Sequence, residues 1–259
     1  MEAKHPQCEG TRHPVVFLGA GPGDPELITL KGRRLLDTAD IVVYAGSLVN
    51  PELLNGIKAV CHDSAALDLK EIMGLLVDGY AAGLRVVRLH TGDPSIYGAI
   101  REQMQWLDRM QIPYEVVPGV SSAFAAAAAL KKELTVPEIT QTVILTRQAG
   151  RTPVPERESL HRLAQAQATM CIFLSVSMIR SVVEELTLGG YPLHTPVAVV
   201  ERASWPDEQI LHGTLADIAG QVEGSNIKKT AMIVVGPALA DGITTASKLY
   251  AHNFSHEYR

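Results

Sequence analysis

Two short stretches hold glycine, aspartate and proline at spacings that could build a ligand site. The first is Gly19-Ala20-Gly21-Pro22-Gly23-Asp24-Pro25 and the second is Gly92-Asp93-Pro94. A glycine-rich turn between a strand and a helix exposes backbone N–H groups, and a common use of such a turn is to cradle the pyrophosphate of a dinucleotide. That chemistry fails here on charge. In the G-x-G-x-x-G pattern the third glycine lies three residues after the second, and that position holds Asp24, whose carboxylate would meet the pyrophosphate at one helix end. The acidic residue that would hold a ribose after the second strand is also missing, because Tyr44 is followed by Ala45-Gly46-Ser47-Leu48. Tight turns stiffened by proline would use the same residues without any ligand, and Asp93 would then bond its own backbone.

No metal site and no His/Asp/Ser constellation is expected. His90 precedes the second turn and reads as a satisfied polar histidine. The cysteines, Cys8, Cys61 and Cys171, are odd in number and far apart, which fits neither a disulfide framework nor a metal knuckle and points to a reducing, cytoplasmic setting.

Strands and helices must position the two turns. Short β-branched runs recur, each followed by a turn signal and then a helical period, which is the pattern of parallel βα units and of an α/β fold. Strands are expected at Val15–Leu18, Ile41–Tyr44, Arg85–Leu89 and Tyr114–Val117, then at Thr142–Thr146, Cys171–Ser175, Val197–Glu201, Gln209–Gly213 and Ala231–Val235. One helix should run through Leu35 and Leu36. Asn50-Pro51-Glu52 reads as an N-cap with proline at the first helical position. From Asp68 the positions Leu69, Ile72, Met73, Leu76, Val77 and Tyr80 predict a helix that Gly83 stops. Another is expected from about Ser95 to Met110, and an alanine-rich one over Ser121 to Leu130. A domain boundary near Pro118–Val120 divides the chain into an N-terminal tail (1–13), an N-terminal α/β domain (14–118), a C-terminal α/β domain (119–240) and a C-terminal tail (241–259).

Residues 18–32 (LGAGPGDPELITLKG) resemble the first signature of the tetrapyrrole methylase family, the S-adenosylmethionine-dependent methylases of sirohaem and cobalamin synthesis. Residues 87–98 (VRLHTGDPSIYG) resemble its cofactor loop, and 117–129 (VPGVSSAFAAAAA) resemble its proline-glycine turn and following helix. The resemblance runs from about Val15 to Pro237. It implies two α/β domains of unlike topology, an active-site trough between them, and a homodimer. It also implies S-adenosylmethionine as the methyl donor, with S-adenosylhomocysteine as product. Pro22, Gly92, Asp93, Ile96, Tyr97, Ser121, Ser122, Leu174, Ala203 and Ala231 match the positions that hold it, and the expected catalytic residues are Asp24, which the resemblance places in the loop facing the trough, and Tyr97, beside the cofactor turn. The donor carries a sulfonium and an ammonium, so carboxylates nearby are tolerable where they would repel a dinucleotide.

Residues 140–156 (TQTVILTRQAGRTPVPE), 44–54 (YAGSLVNPELL) and 203–210 (ASWPDEQI) look like the branch of this family that methylates carbon 11 of precorrin-4 or its cobalt form. Another tetrapyrrole methylase, acting on uroporphyrinogen III or on a different precorrin carbon, is the alternative. The macrocycle's acetate and propionate groups would suit Arg147 and Arg151 at a strand end, although two solvated arginines would look the same in sequence.

The bulk numbers agree with an enzyme of this kind. The chain has 259 residues, 46% of them hydrophobic, enough for a core without disulfides or metals. A formal net charge of −5 with mixed signs offers no basic stripe, so neither nucleic acid nor an anionic membrane is an expected partner, and relatives that methylate rRNA are disfavoured. The alanine-rich run is about half the ~20 residues that a spanning helix needs. The polar start, MEAKHPQCEGTRHP, lacks the apolar core of a signal peptide.

Overall fold

The computed structural model describes residues 13–247. The expected tails fall mostly outside that range. Two compact units divide the chain between Ser122 and Ala123, with Ser204–Pro206 joining the first.

The first unit holds strands β1 (Val15–Gly19), β2 (Ile41–Tyr44), β3 (Val60–Asp63), β4 (Val86–His90) and β5 (Tyr114–Val117), with helices α1 (Leu30–Asp37), α2 (Leu69–Ala81) and α3 (Ile100–Arg109). The strands form one parallel sheet in the order β3-β2-β4-β1-β5. Alternate side chains enter two cores. Val16, Leu18, Val42, Val87 and Leu89 pack with Leu36 of α1 on one face. Val15, Phe17, Val43 and Val86 pack with Ile72, Met73 and Leu76 of α2 and Leu107 of α3 on the other. Sheets covered on both faces need apolar residues at nearly every strand position, which is why these runs stand out in the sequence. The chain leaves β1 toward one face and the neighbouring β4 toward the other. In open parallel sheets that reversal marks the crevice, outside the carboxyl ends of the strands, where ligands bind.

Three expectations change. β3 is an additional edge strand whose residues are mostly exposed. The Asn50 cap is present, with its Oδ1 accepting the Glu52 N–H at 3.0 Å, but it opens only a 3-10 turn, Pro51–Leu54. α3 starts at Ile100 rather than near Ser95, because Tyr97 (φ 56°) and Ala99 (φ 50°) are left-handed and no α-helix can include them. α2 follows the reading closely: Asp68 and Glu71 form a reciprocal capping box, and Gly83, at φ 75°, ends it.

The second sheet contains β6 (Val143–Arg147), β7 (Thr169–Phe173), β8 (Pro196–Glu201), β9 (Gln209–Thr214) and β10 (Ala231–Val235), in the order β6-β7-β10-β8-β9. Helices α4 (Ser122–Leu130), α5 (Leu160–Ala164), α6 (Ile179–Leu188) and α7 (Ile218–Gly224) accompany it. Only β6 and β7 pair in parallel; the other three pairs are antiparallel. The expected run of parallel βα units therefore stops at β7. The connection from β8 to β9 spans only residues 202–208, too short for a crossover helix, so the chain turns back as a hairpin. α5, α6 and α7 bury one face of the sheet. The alanines of α4 pack against Cys171, Ala198, Val200, Met232 and Val234 on the other, where small side chains let helix and sheet approach closely. β7 begins two residues earlier than expected and stops before Leu174, which is left-handed at φ 55°. Among the described residues no helix is long and apolar enough to cross a membrane.

Candidate active site

Three glycines meet at the crevice between β1 and β4. Gly19 ends β1, Gly92 follows β4 and Gly119 follows β5. A Cβ built on Gly119 would stand 2.2 Å from the Gly92 carbonyl oxygen and 2.8 Å from the Gly19 Cα, and one on Gly19 would stand 2.6 Å from the Gly119 Cα. Neither Gly19 nor Gly119 is left-handed, so the requirement at these two positions is space. The Ala20 N–H donates to the His90 carbonyl at 2.7 Å, and Gly21 and Gly92 exchange hydrogen bonds of 3.3 and 2.7 Å.

Asp93 braces this junction. Its Oδ2 accepts the Gly119 N–H at 2.9 Å and its Oδ1 the Ser95 N–H at 2.8 Å. Burial alone would favour the protonated acid, but these donors outweigh it and hold the carboxyl below the usual aspartate range. Beyond Asp93 the chain passes through half-buried Ile96 to Tyr97, which is 45% exposed and left-handed, and then to Gly98, whose missing Cβ would lie 2.2 Å from the Pro94 carbonyl oxygen. Left-handed angles at non-glycine residues cost energy and concentrate at functional sites. Ser121 is buried and Ser122 half-buried at the start of α4.

The first loop is held from three directions. The Asn50 Nδ2 donates to the Gly23 carbonyl at 2.9 Å, Trp205 Nε1 donates to the buried Pro22 carbonyl at 3.0 Å, and the Asp24 N–H reaches Ser204 Oγ at 3.0 Å. Gly23 is needed because a Cβ there would stand 2.0 Å from the Trp205 ring. The half-buried Asp24 side chain caps the 3-10 turn Pro25–Leu27, its Oδ1 accepting the Glu26 N–H at 2.8 Å. Sequence reasoning missed Ser204 and Trp205 as parts of this loop, and saw in Asn50 only the helix cap.

The remaining expected residues gather at one end of the second sheet. Register pairs Arg147 with Phe173, Ile172 with Ile233, and Glu201 with Ala231. Leu174, Ala203 and Ala231 therefore share that end with Arg147. Leu174 is 67% exposed, an unusual state for a large apolar side chain, and Arg202 (φ 50°) and Thr230 (φ 54°), which bond one another at the same end of the sheet, are left-handed as well. Ala203 is buried. Arg147 is engaged by its own loop: Nη1 donates to the carbonyls of Gln148 (3.3 Å) and Thr152 (3.1 Å), and Nη2 to that of Pro153 (2.8 Å). Arg151 is exposed and makes no side-chain hydrogen bond or ion pair with the described residues.

His90 corrects the reading of a satisfied histidine. It is 3% exposed, and its Nε2 has no hydrogen-bond partner among the described residues. Burial, with the Arg88 cation second, lowers its pKa from 6.5 to about 3. Arg88 is itself buried and bonds the neutral Gln103 Oε1 (3.3 Å) and the Val43 carbonyl (3.1 Å). Between those two pKa values the unfolded chain binds a proton at this residue and the folded chain does not. Stability is thus fully present above pH 6.5 and falls as the pH drops toward 3, with this group contributing a slope of about 1.4 kcal/mol per pH unit. Urea unfolding of His90→Phe across that range should give a shallower slope than the wild type; equal slopes would exclude the assignment.

Among the described residues no group of three or more His, Cys, Asp or Glu could hold a metal ion. His252 and His256, which stand four apart, lie outside them, as does Cys8. Cys61 and Cys171 are free thiols. A cleft of about 550 Å³ beside β3 and α2 is lined by residues such as Cys61, His62, Leu75 and Asp78 and contains none of the expected site residues.

Comparison with known proteins places these loops in a family. Residues 14–219 match the pattern of the Tetrapyrrole (Corrin/Porphyrin) Methylases. The chain is 57% identical over 247 residues to the cobalt-precorrin-4 C(11)-methyltransferase of Methanocaldococcus jannaschii, covering 95% of each protein. It is 50% identical over 246 residues to the precorrin-4 C(11)-methyltransferase of Pseudomonas aeruginosa, covering 95% of this chain and 98% of that one. Among solved structures, the cobalt precorrin-4 methyltransferase of cobalamin biosynthesis superposes with a TM-score of 0.83 at 48% identity, over 87% of this chain and 95% of that one. The Thermus thermophilus uroporphyrin-III C-methyl transferase complexed with S-adenyl homocysteine gives 0.76 at 31% identity, over 88% and 99%. With both glycine turns inside the matched span and relatives alike over nearly their whole length, the chain belongs to the tetrapyrrole methylases.

Proposed function

We propose that this protein is an S-adenosylmethionine-dependent C-methyltransferase of cobalamin biosynthesis that methylates carbon 11 of the precorrin-4 macrocycle. The observation that carries the reading is the 57% and 50% identity, across 95% of the chain, to proteins named for that reaction.

S-adenosylmethionine would supply an activated methyl group on a sulfonium. The residues of this chain suit such a group. The glycine junction lets backbone approach closely where a Cβ would block it, the donors on Asp93 keep a carboxylate ionised beside the crevice, and Leu174 offers an exposed apolar face. On the resemblance, we assign Pro22, Gly92, Asp93, Ile96, Tyr97, Ser121, Ser122, Leu174, Ala203 and Ala231 to holding the donor. Because the methyl group arrives activated, holding the reactants in a near-attack geometry can supply on the order of 7–11 kcal/mol of the barrier, and a strong base is not required. Asp24 and Tyr97 are assigned to the reacting end of the site, and Arg151 to the carboxylates of the macrocycle. The working assembly in this reading is a homodimer.

The test is mass spectrometry and NMR of the product formed anaerobically from precorrin-4, and separately from its cobalt form, with labelled S-adenosylmethionine. One labelled methyl at carbon 11 supports the reading, and methylation at another carbon overturns it. In the same assay Asp24→Asn, which keeps the capping acceptor and removes the charge, and Tyr97→Phe are expected to lower turnover at saturating substrate. Unchanged turnover in both would remove them from the chemistry.

A further inference from the structure

Arg147 and Arg151 stand four residues apart, yet the fold treats their guanidinium groups in opposite ways. Arg147 ends β6 and turns back on the loop that follows. Three of its five N–H groups go to carbonyls of Gln148, Thr152 and Pro153, which lie on both sides of the loop's tip. The near side of the same loop has its own anchors: the Gln148 N–H donates to Ser175 Oγ at 2.9 Å, and the Gln148 side chain donates to Ser181 Oγ at 3.0 Å. Ser175 is fully buried and donates onward to the Phe173 carbonyl at 2.6 Å, so this anchor is tied to the last residue of β7. Across the tip, the Gly150 N–H meets the Thr152 carbonyl at 3.3 Å. Arg151 sits at that tip, exposed.

We propose that Arg147 does not contact the substrate but is a positioning residue, which closes residues 148–153 into one conformation and so presents Arg151 to a carboxylate of the macrocycle. The proposal rests on the assignment of Arg151 made above. A planar fork spanning two sides of a loop fixes it in a way that a single ammonium cannot. A cation spent on backbone carbonyls also has little left for a carboxylate, whereas Arg151 keeps its whole fork. The strand end then carries one arginine for order and one for recognition.

The experiment compares Arg151→Ala, Arg147→Ala, Arg147→Lys and the Arg147→Ala/Arg151→Ala double variant in the full-length protein. It reads KM for the tetrapyrrole, kcat, and the rate of tryptic cleavage after Arg151 followed by mass spectrometry. Losing a charge-assisted contact should raise KM about tenfold or more in Arg151→Ala. Arg147→Ala should raise KM by a similar factor with kcat little changed and speed cleavage after Arg151 by about tenfold, because local opening exposes the bond. The double variant should be no worse than Arg151→Ala alone. Arg147→Lys keeps the charge but not the bridge, and should resemble Arg147→Ala in both KM and cleavage. Multiplying KM effects in the double variant, or a wild-type KM in Arg147→Lys with cleavage still fast, would overturn the proposal by making Arg147 a direct contact. Wild-type cleavage in Arg147→Ala would also overturn it. An unchanged KM in Arg151→Ala with fast cleavage in Arg147→Ala would instead remove Arg151 from substrate binding while leaving Arg147 as the residue that orders the loop.

Discussion

Gly119→Ala is expected to abolish binding of S-adenosylhomocysteine and to destabilise the protein by about 3 kcal/mol or more. The added carbon would sit 2.2 Å from the Gly92 carbonyl oxygen and 2.8 Å from the Gly19 Cα. Both neighbours are backbone, and both are fixed: Gly19 pairs with His90 in the sheet, and Gly92 is bonded to Gly21 in both directions. No rotamer change relieves the overlap, so two or three strand ends must separate. Isothermal calorimetry with S-adenosylhomocysteine and urea unfolding measure the two effects. Gly74→Ala is the matched control. Gly74 lies inside α2 with nothing within 4 Å of the position a Cβ would take, and alanine there should raise stability by about 0.5–1 kcal/mol. Wild-type donor binding in Gly119→Ala would refute the idea that backbone contact builds this crevice.

Asp93→Asn should cost nearly as much although it changes almost no volume. The carboxylate accepts one N–H on each oxygen, from Ser95 and from Gly119. An amide can accept only one; its NH2 would point at the other N–H, setting donor against donor. Leaving such a group unpaired costs about 1–3 kcal/mol, more where the lost partner was charged, and a donor affinity lower by about two orders of magnitude is expected. The pH dependence gives a second check. A folded pKa below the ordinary aspartate value contributes stability that is present above about 3.9 and is lost as the pH falls through the folded value. This contribution survives to lower pH than the onset of the His90 loss, and Asp93→Asn should remove it without altering the slope nearer pH 6. Normal donor binding in Asp93→Asn would exclude the brace.

These two positions show what kinds of information a sequence carries. Glycine and proline are conspicuous because they are chosen for backbone reasons, so both turns could be found before any coordinates. The strands of the first sheet could be found because burial on both faces demands continuous apolar runs. β3 could not: Val60-Cys61-His62-Asp63 is an edge, mostly exposed, and has neither alternation nor an apolar run. The start of α3 was hidden because Ser95 to Ala99 has no strong helix breaker except Gly98, and the left-handed angles of Tyr97 and Ala99 are imposed by the tertiary fold. The ties on the first loop were out of reach for a different reason. Asn50 acts across 27 residues, Ser204 across 180 and Trp205 across 183, and no local pattern encodes a partner that distant. Arg147 and Arg151 look alike in sequence, and the carbonyls that occupy one of them became visible only once the loop was folded.

The glycine junction also sets where this enzyme can be re-engineered. Three backbones in contact leave no side chain at Gly19, Gly92 or Gly119 to enlarge or trim, and the Asp93 carboxylate that braces them is already committed to two N–H groups, so mutagenesis there has no graded outcomes to select among. Libraries aimed at another macrocycle belong where side chains already point into water, and Ala149–Pro153 is such a stretch. Within it Arg151 can be randomised freely, while Arg147 just outside should be held fixed as the hinge pin on which every library member depends.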